Sequence, residues 1–190
     1  MNKLKCVSNE FHIWEMKKFF ANNICSFFID KYEQEIMKKF SKNSNCNLIF
    51  GNDLEKNIED RNIKRIDFVS DEVAKIIWNG LDFSVLSKID FKPTNINSRF
   101  RIYKYFIEDE FKNHTDASTI ISKTEETLYS LLIYLNDDFE GGHTKFNNFV
   151  IKPKTGTLVT FPHKQIHSGE KIISGNKYIL RGDIIFKKTI

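Results

Sequence analysis

His114, Asp116 and His167 are the residues whose types and spacing could do chemistry together. On an extended segment the side chains at i and i+2 point to one face, so His114-Thr115-Asp116 can aim an imidazole and a carboxylate at one point. A second imidazole, from His167, completes two nitrogens and one oxygen on one side of a metal ion. The opposite side stays open for substrate and dioxygen, the arrangement of non-haem Fe(II) oxygenases. H-x-D is a short pattern that many chains carry, so its weight comes from what surrounds it.

The other three of the five histidines do not make a competing site. His12 lies in the N-terminal half and matches no pattern. His143, in G-G-H-T, reads as a loop residue. His163 stands four before His167, a spacing that could bind zinc on a helix, but Pro162 and the surrounding strand texture argue against a helix there. Cys6, Cys25 and Cys46 are odd in number and lack CxxC spacing. That argues against a disulfide framework or a zinc ribbon and fits reduced thiols in an intracellular compartment. Cys25 reads as packed core.

These residues need a scaffold, and 190 residues suffice for one domain with a substantial core, to which 18 Phe, six Tyr and two Trp contribute. The net charge of +4 and pI near 8.8 are mildly basic. No compact Lys/Arg cluster interleaves with aromatics, which disfavours a nucleic-acid partner. The start is polar and no apolar run approaches the ~20 residues of a membrane span, so neither a signal peptide nor a membrane segment is expected.

Along the chain, residues 10–20 read as a first strand. Asn22 or Asn23 could cap a helix running to about Phe40, with Ile24, Phe27, Phe28, Tyr32, Ile36 and Phe40 on its 3.6-residue stripe. Residues 41–53 read as an exposed loop and 60–67 as a charged return. Ser70 or Asp71 starts a second helix whose buried stripe is Val73, Ile76, Ile77 and Leu81. A short helix over 82–91 and a loop over 92–98 follow. Then come strands over 100–107, 127–135, 149–152, 156–161 and 177–186, separated by Pro and Gly signals; 127–135 is apolar enough to be buried on both faces. Helices followed by closely spaced strands give an α+β class: a double-stranded β-helix, or jelly roll, with helices packed outside it. The expected organisation is one domain over 1–190, with 1–98 as a helical support region and 99–188 as the core.

Five ordered blocks, R-I-Y-K-Y-F, F-K-N-H-T-D, L-I-Y-L-N-D-D-F-E-G-G-H-T-K-F, I-K-P-K-T-G-T-L-V-T-F and H-S-G-E-K-I-I-S-G-N-K-Y, resemble the catalytic domain of the prolyl 4-hydroxylase-like 2-oxoglutarate/Fe(II) dioxygenases. The resemblance covers roughly 99–186. It implies His114, Asp116 and His167 as ligands of Fe(II), with 2-oxoglutarate and O2 as co-substrates and ascorbate as reductant. It implies Lys177, ten after His167, as partner of the distal 2-oxoglutarate carboxylate, since a buried anion needs a cation and hydrogen bonds. Thr144 matches a hydroxyl donor of that pocket and Tyr105 a tyrosine that touches the co-substrate. Tyr134 lies in a strand lining the same cavity, with core packing as its alternative role. Gly141 and Gly142 fit the backbone needs of a tight loop. Arg181, four after Lys177, is expected to pair with Asp183 or rim the opening.

The implied reaction is hydroxylation of an unactivated C–H bond with conversion of 2-oxoglutarate to succinate. The substrate is a prolyl or other residue of a protein or peptide, or a small molecule; a fold does not choose among them. Two other classes compete. A cupin-like metal-binding jelly roll would have no need of Lys177 and Thr144, and a metal-dependent hydrolase would require an added general base, which the sequence does not offer. Oligomeric state is left open.

Overall fold

The computed structural model describes residues 2–42 and 64–189. The N-terminal part runs β1 (Asn2–Lys3), β2 (Lys5–Ser8), β3 (Ile13–Met16), α1 (Asn22–Lys42), β4 (Lys64–Val69), α2 (Asp71–Gly80), β5 (Leu81–Asp82) and β6 (Phe91–Ile96). Strands follow: β7 (Arg99–Tyr105), β8 (Phe111–His114), β9 (Glu125–Tyr134), β10 (Glu140–Gly141), β11 (Thr144–Phe146) and β12 (Phe149–Ile151). The chain closes with β13 (Leu158–Pro162), β14 (His167–Gly169), β15 (Ile172–Ser174) and β16 (Lys177–Lys188).

One large sheet has the order β2-β3-β13-β9-β16-β7-β4, with β6 as an eighth strand on β16. A smaller sheet has the order β12-β11-β14-β8. Apart from the parallel pair β1–β5, the pairings are antiparallel. Successive side chains of a strand point to opposite faces, and β9 uses that alternation to hold two cores apart. Leu131 and Ile133 join the core shared with α1 and α2, while Leu132 and Tyr134 join the core shared with Phe146 and Ile151 of the smaller sheet. The expectation that 127–135 is buried on both faces is thus met. The overall class, mostly antiparallel strands with two α-helices among the described residues, agrees with the sequence reading.

Several local expectations are corrected. In α1 the buried stripe is Cys25, Phe28, Tyr32 and Ile36; Ile24 and Phe27 are exposed. Asn22 is the first helical residue, and the carbonyl of Ala21 accepts from the amides of Ile24 and Cys25. Helix α2 starts as expected, with the Ser70 hydroxyl accepting from the Val73 amide at 3.2 Å, and it buries Ala74 and Ile77 while Ile76 faces out. The expected helix over 82–91 shrinks to a 3-10 turn at Ser84–Leu86. The expected loop over 92–98 is largely β6: Pro93 opposes Phe186 where the register shifts, a bulge that tolerates a residue without an amide proton. Residues 64–69, read only as a charged return, form β4 on the outer edge of β7. Of the expected loop over 41–53, residues 41–42 belong to α1, and the rest, with Cys46, lies outside the described residues.

The largest correction concerns the support region. The described residues before Arg99 supply β2, β3, β4 and β6 to the large sheet as well as the helices, so the region is not helical alone. No helix among the described residues is long and apolar enough to cross a membrane.

Candidate active site

The candidate side chains stand at or near strand ends. His114 is the last residue of β8 and His167 the first of β14, and the two are direct partners across that antiparallel pair. Their rings lie 4.2 Å apart between centroids. Asp116 follows two residues beyond β8, where its amide donates to the His163 carbonyl at 2.9 Å. One ligand atom from each of the three lies within 4.8 Å of the others, the one such cluster among the described residues.

The rings are held from behind. Nδ1 of His114 sits 2.8 Å from the Lys112 carbonyl, and Nδ1 of His167 sits 2.9 Å from the Gln165 carbonyl. A carbonyl only accepts, so each Nδ1 carries the proton and each Nε2 keeps its lone pair. Both Nε2 atoms lie 3.7 Å from an Asp116 oxygen. Burial lowers the pKa of both imidazoles, His114 to about 4, against the opposing pull of Asp116. Phe111 packs on His114 at 3.9 Å, and Phe161 on His167 at 4.6 Å. Two neutral imidazole lone pairs and a carboxylate therefore converge, an arrangement that is repulsive by itself and suited to a cation. The donor set fits Fe(II), and the backbone contacts are of the kind that orient metal-bound imidazoles.

Asp116 has further partners that sequence reasoning missed. Ser130 donates to its Oδ2, and Arg181 Nη2 lies 2.9 Å from its Oδ1. Burial opposes its charge, but Arg181 and the neighbouring donors outweigh it and hold the carboxyl below its ordinary range. Arg181 also lies 3.5 Å from Asp183, as expected, but it lines the cavity instead of merely rimming it. Asp183 is buried and lies 3.4 Å from Arg101 and 3.2 Å from His163 Nε2. His163, which sequence analysis only excluded from a zinc helix, is a buried neighbour of the site. Two signals could have found part of this: Asp183 shares a strand face with Arg181, and Ser130 is a hydroxyl inside an apolar run.

The cavity of about 50 Å³ that holds the triad is also lined by Lys177, Tyr105 and Thr144. Lys177 opens β16 opposite Tyr105, the last residue of β7. Thr144 opens β11 opposite Gly169. Lys177 is 2% exposed. Its ammonium donates to the Gly142 carbonyl and lies 5.4 Å from the Tyr105 ring centroid and 5.6 Å from that of Tyr134. Burial drives its pKa down to about 7, with Glu170 opposing weakly. No carboxylate among the described residues lies within ion-pair distance of it. Gly142, at φ +62°, lets the chain turn against the lysine stem, where a Cβ would meet the Lys177 Cδ at 3.2 Å. Tyr134 is fully buried and does not line the cavity; its hydroxyl donates to Thr144 at 2.8 Å. It stands behind the pocket with its hydroxyl on a pocket threonine, and its place in the core agrees with the packing role left open for it. His143 pairs with Glu170 at 2.9 Å, apart from the triad.

Comparison with known proteins shows what this chain is similar to. Residues 100–182 match the model of the 2OG-Fe(II) oxygenase superfamily, so the resemblance read from the five sequence blocks is borne out. A protein of Acanthamoeba polyphaga mimivirus named as a candidate prolyl 4-hydroxylase is 29% identical over 100 residues, covering 42% of this chain and 41% of its own length. The match thus spans less than half of that relative. Among solved structures, the viral collagen prolyl hydroxylase of Paramecium Bursaria Chlorella virus-1 is similar with a TM-score of 0.61 at 18% identity, over 97% of this chain and 99% of that one. A Pseudomonas putida prolyl-4-hydroxylase gives 0.58 at 13% identity, over 92% of each chain. At these identities the two structures speak to the fold.

Proposed function

We propose that the protein is a 2-oxoglutarate- and Fe(II)-dependent dioxygenase that hydroxylates a residue of a protein or peptide, with proline as the leading target. The observation that carries this reading is one cavity with a lone-pair triad and a buried lysine that no described carboxylate neutralises. A cupin-like binding protein would have no use for that lysine. We read the two facing sheets as a double-stranded β-helix and residues 1–190 as one domain.

In this reading His114, Asp116 and His167 hold the iron, and Lys177 and Thr144 hold the distal carboxylate of 2-oxoglutarate. Bound iron and 2-oxoglutarate supply the oxidation: one atom of O2 enters succinate as CO2 leaves, and the other becomes the hydroxyl of the substrate. The chain's own contribution is placement. Lys112 and Gln165 fix the imidazole tautomers, Ser130 and Arg181 fix the carboxylate, and Tyr134 turns the Thr144 hydroxyl. Phe111, Leu132 and Ile179 supply apolar cavity wall that excludes water from the reacting groups. Tyr105 faces the lysine and would flank the co-substrate. Ascorbate is the proposed reductant for turnovers that miss the substrate, and an intracellular setting suits Cys6 and Cys25, which are free.

The test is succinate formation by the iron-loaded protein with 2-oxoglutarate and a library of proline-containing peptides. The expected result is peptide-dependent succinate with gain of one oxygen atom on proline. Oxygen gain confined to another residue would move the substrate assignment; no peptide or small molecule stimulating succinate would defeat the enzymatic reading.

A further inference from the structure

We propose that Arg181 is a positioning residue that fixes the Asp116 carboxylate, and that its charge makes metal binding depend on an accompanying dianion. This rests on the reading that the site takes a divalent metal together with 2-oxoglutarate.

Both oxygens of Asp116 are already engaged by the protein. Arg181 Nη2 lies 2.9 Å from Oδ1, and Ser130 donates to Oδ2. A carboxylate offers about four lone-pair directions, so acceptor capacity remains toward the two imidazoles, whose Nε2 atoms are each 3.7 Å away. Arg181 is itself held in place. Asp183 lies 3.5 Å from it and is buried between Arg101 at 3.4 Å and His163 at 3.2 Å. The rotamer of the ligand carboxylate is therefore set by a chain of contacts that ends in the large sheet.

The residue type fits the task. The chain has 24 lysines and only five arginines, yet two of the five converge on Asp183. A planar guanidinium can face two carboxylates at once, which a lysine ammonium on its flexible stem does less rigidly.

Charge counting supplies the second half. Asp116 is the one acidic residue lining the cavity, and Arg181 and Lys177 are its two cations. Behind the cavity Asp183 and Arg101 offset each other, so a divalent ion placed beside Asp116 meets a carboxylate whose charge Arg181 offsets, and it adds two positive charges to the cavity. A dianion arriving with it cancels those two charges. Metal alone is then disfavoured and the pair favoured, with Arg181 setting much of the difference.

The experiment measures Mn(II) affinity by the loss of the free-ion EPR signal, with and without 2-oxoglutarate, on the full chain. The ratio of the two affinities is the coupling factor, and it must be the same for either order of addition. In the wild type, 2-oxoglutarate should tighten Mn(II). In Arg181→Gln the coupling factor should fall by about tenfold. Arg181→Met, which retains the stem, is the second neutral variant should the first fail to fold. Arg181→Lys retains the charge and should retain most of the coupling, with an altered bound-Mn(II) spectrum from a displaced Asp116. A coupling factor unchanged in both neutral variants overturns the proposal. A wild type that binds no Mn(II) would instead overturn the functional reading on which the proposal rests.

Discussion

The two ends of the cavity are built on opposite electrostatic plans. At the triad end every charge has a protein partner: Asp116 has Arg181 and Ser130, Arg181 has Asp183, and Asp183 has Arg101. At the lysine end Lys177 has a carbonyl, two aromatic faces and a tyrosine-oriented threonine, but no carboxylate among the described residues. The triad end is a finished network that would admit a metal between three lone-pair donors. The lysine end is an unfinished one, and in the proposed function its missing member is an anion. Burying a cation without a counter-ion costs stability, so the difference separates a region that supports the fold from one that burdens it for binding.

The largest effects should come from the triad. His114→Ala, Asp116→Ala and His167→Ala should each cut 2-oxoglutarate turnover by more than about a hundredfold, beyond the range typical of residues that only support ligands. Thermal unfolding should change far less than turnover, because the surrounding strands pair through their backbones. Succinate formation at the wild-type rate in Asp116→Ala would break the assignment.

Next in size are changes at Lys177, and they should split stability from binding. Lys177→Ala should weaken 2-oxoglutarate by roughly ten- to a hundredfold, since a charge-assisted hydrogen bond contributes about 1.5–3 kcal/mol. Arg181→Ala should affect co-substrate affinity less. Lys177→Met should raise the melting temperature, because it removes a buried cation and fills the same volume. The folded-state pKa lies near 7 against 10.5 for the ordinary lysine, so the unfolded chain holds the extra proton between those values. Wild-type stability therefore rises with pH across that window, and the gain from Lys177→Met should be largest near pH 7 and fade toward pH 10.5. A lower melting temperature for Lys177→Met at pH 7 would show that the lysine is paired after all.

A smaller effect concerns protons. Bound carboxylate raises the lysine pKa, so the complex holds a proton that the free protein loses above pH 7. Affinity for 2-oxoglutarate should fall as pH rises through about 7, by at most about tenfold per pH unit. Calorimetry in buffers of different ionisation enthalpy should detect proton uptake on binding at pH 8; binding without uptake would contradict the lysine's role. Smallest of all, Tyr134→Phe should weaken 2-oxoglutarate only a few-fold, because it removes about one neutral hydrogen bond from behind the pocket.

The same contrast explains what was legible in the sequence. His114, Asp116 and Lys177 were legible as candidates because the spacings involved are short: His114 and Asp116 are two apart, and Lys177 stands ten after His167, as the resemblance implied. The pairing of His114 with His167 across β8 and β14 could only be inferred, since register between distant segments depends on the whole sheet. Arg181 was placed on the correct face, but its contact with Asp116 joins β16 to a segment beyond β8 that is distant in sequence. Tyr134 was placed near the pocket, yet whether a buried tyrosine lines a cavity or stands behind its wall turns on one neighbour, Thr144. In the fold, strands with strong apolar runs such as β9 were legible. Strands made by partners instead of pattern, such as β4 and the Pro-containing β6, were not.

The central claim is that one cavity binds a metal at the triad and a 2-oxo acid chelated to it and anchored on Lys177. Anaerobic titration of the protein with Fe(II) and 2-oxoglutarate tests it most directly, because the chelate has a visible charge-transfer band and no turnover is needed. The account predicts a stoichiometric band in the wild type, a band in Lys177→Ala that saturates only at higher 2-oxoglutarate, and none in Asp116→Ala. A wild type that forms no band, or an Asp116→Ala variant that forms it as well as the wild type, would contradict it.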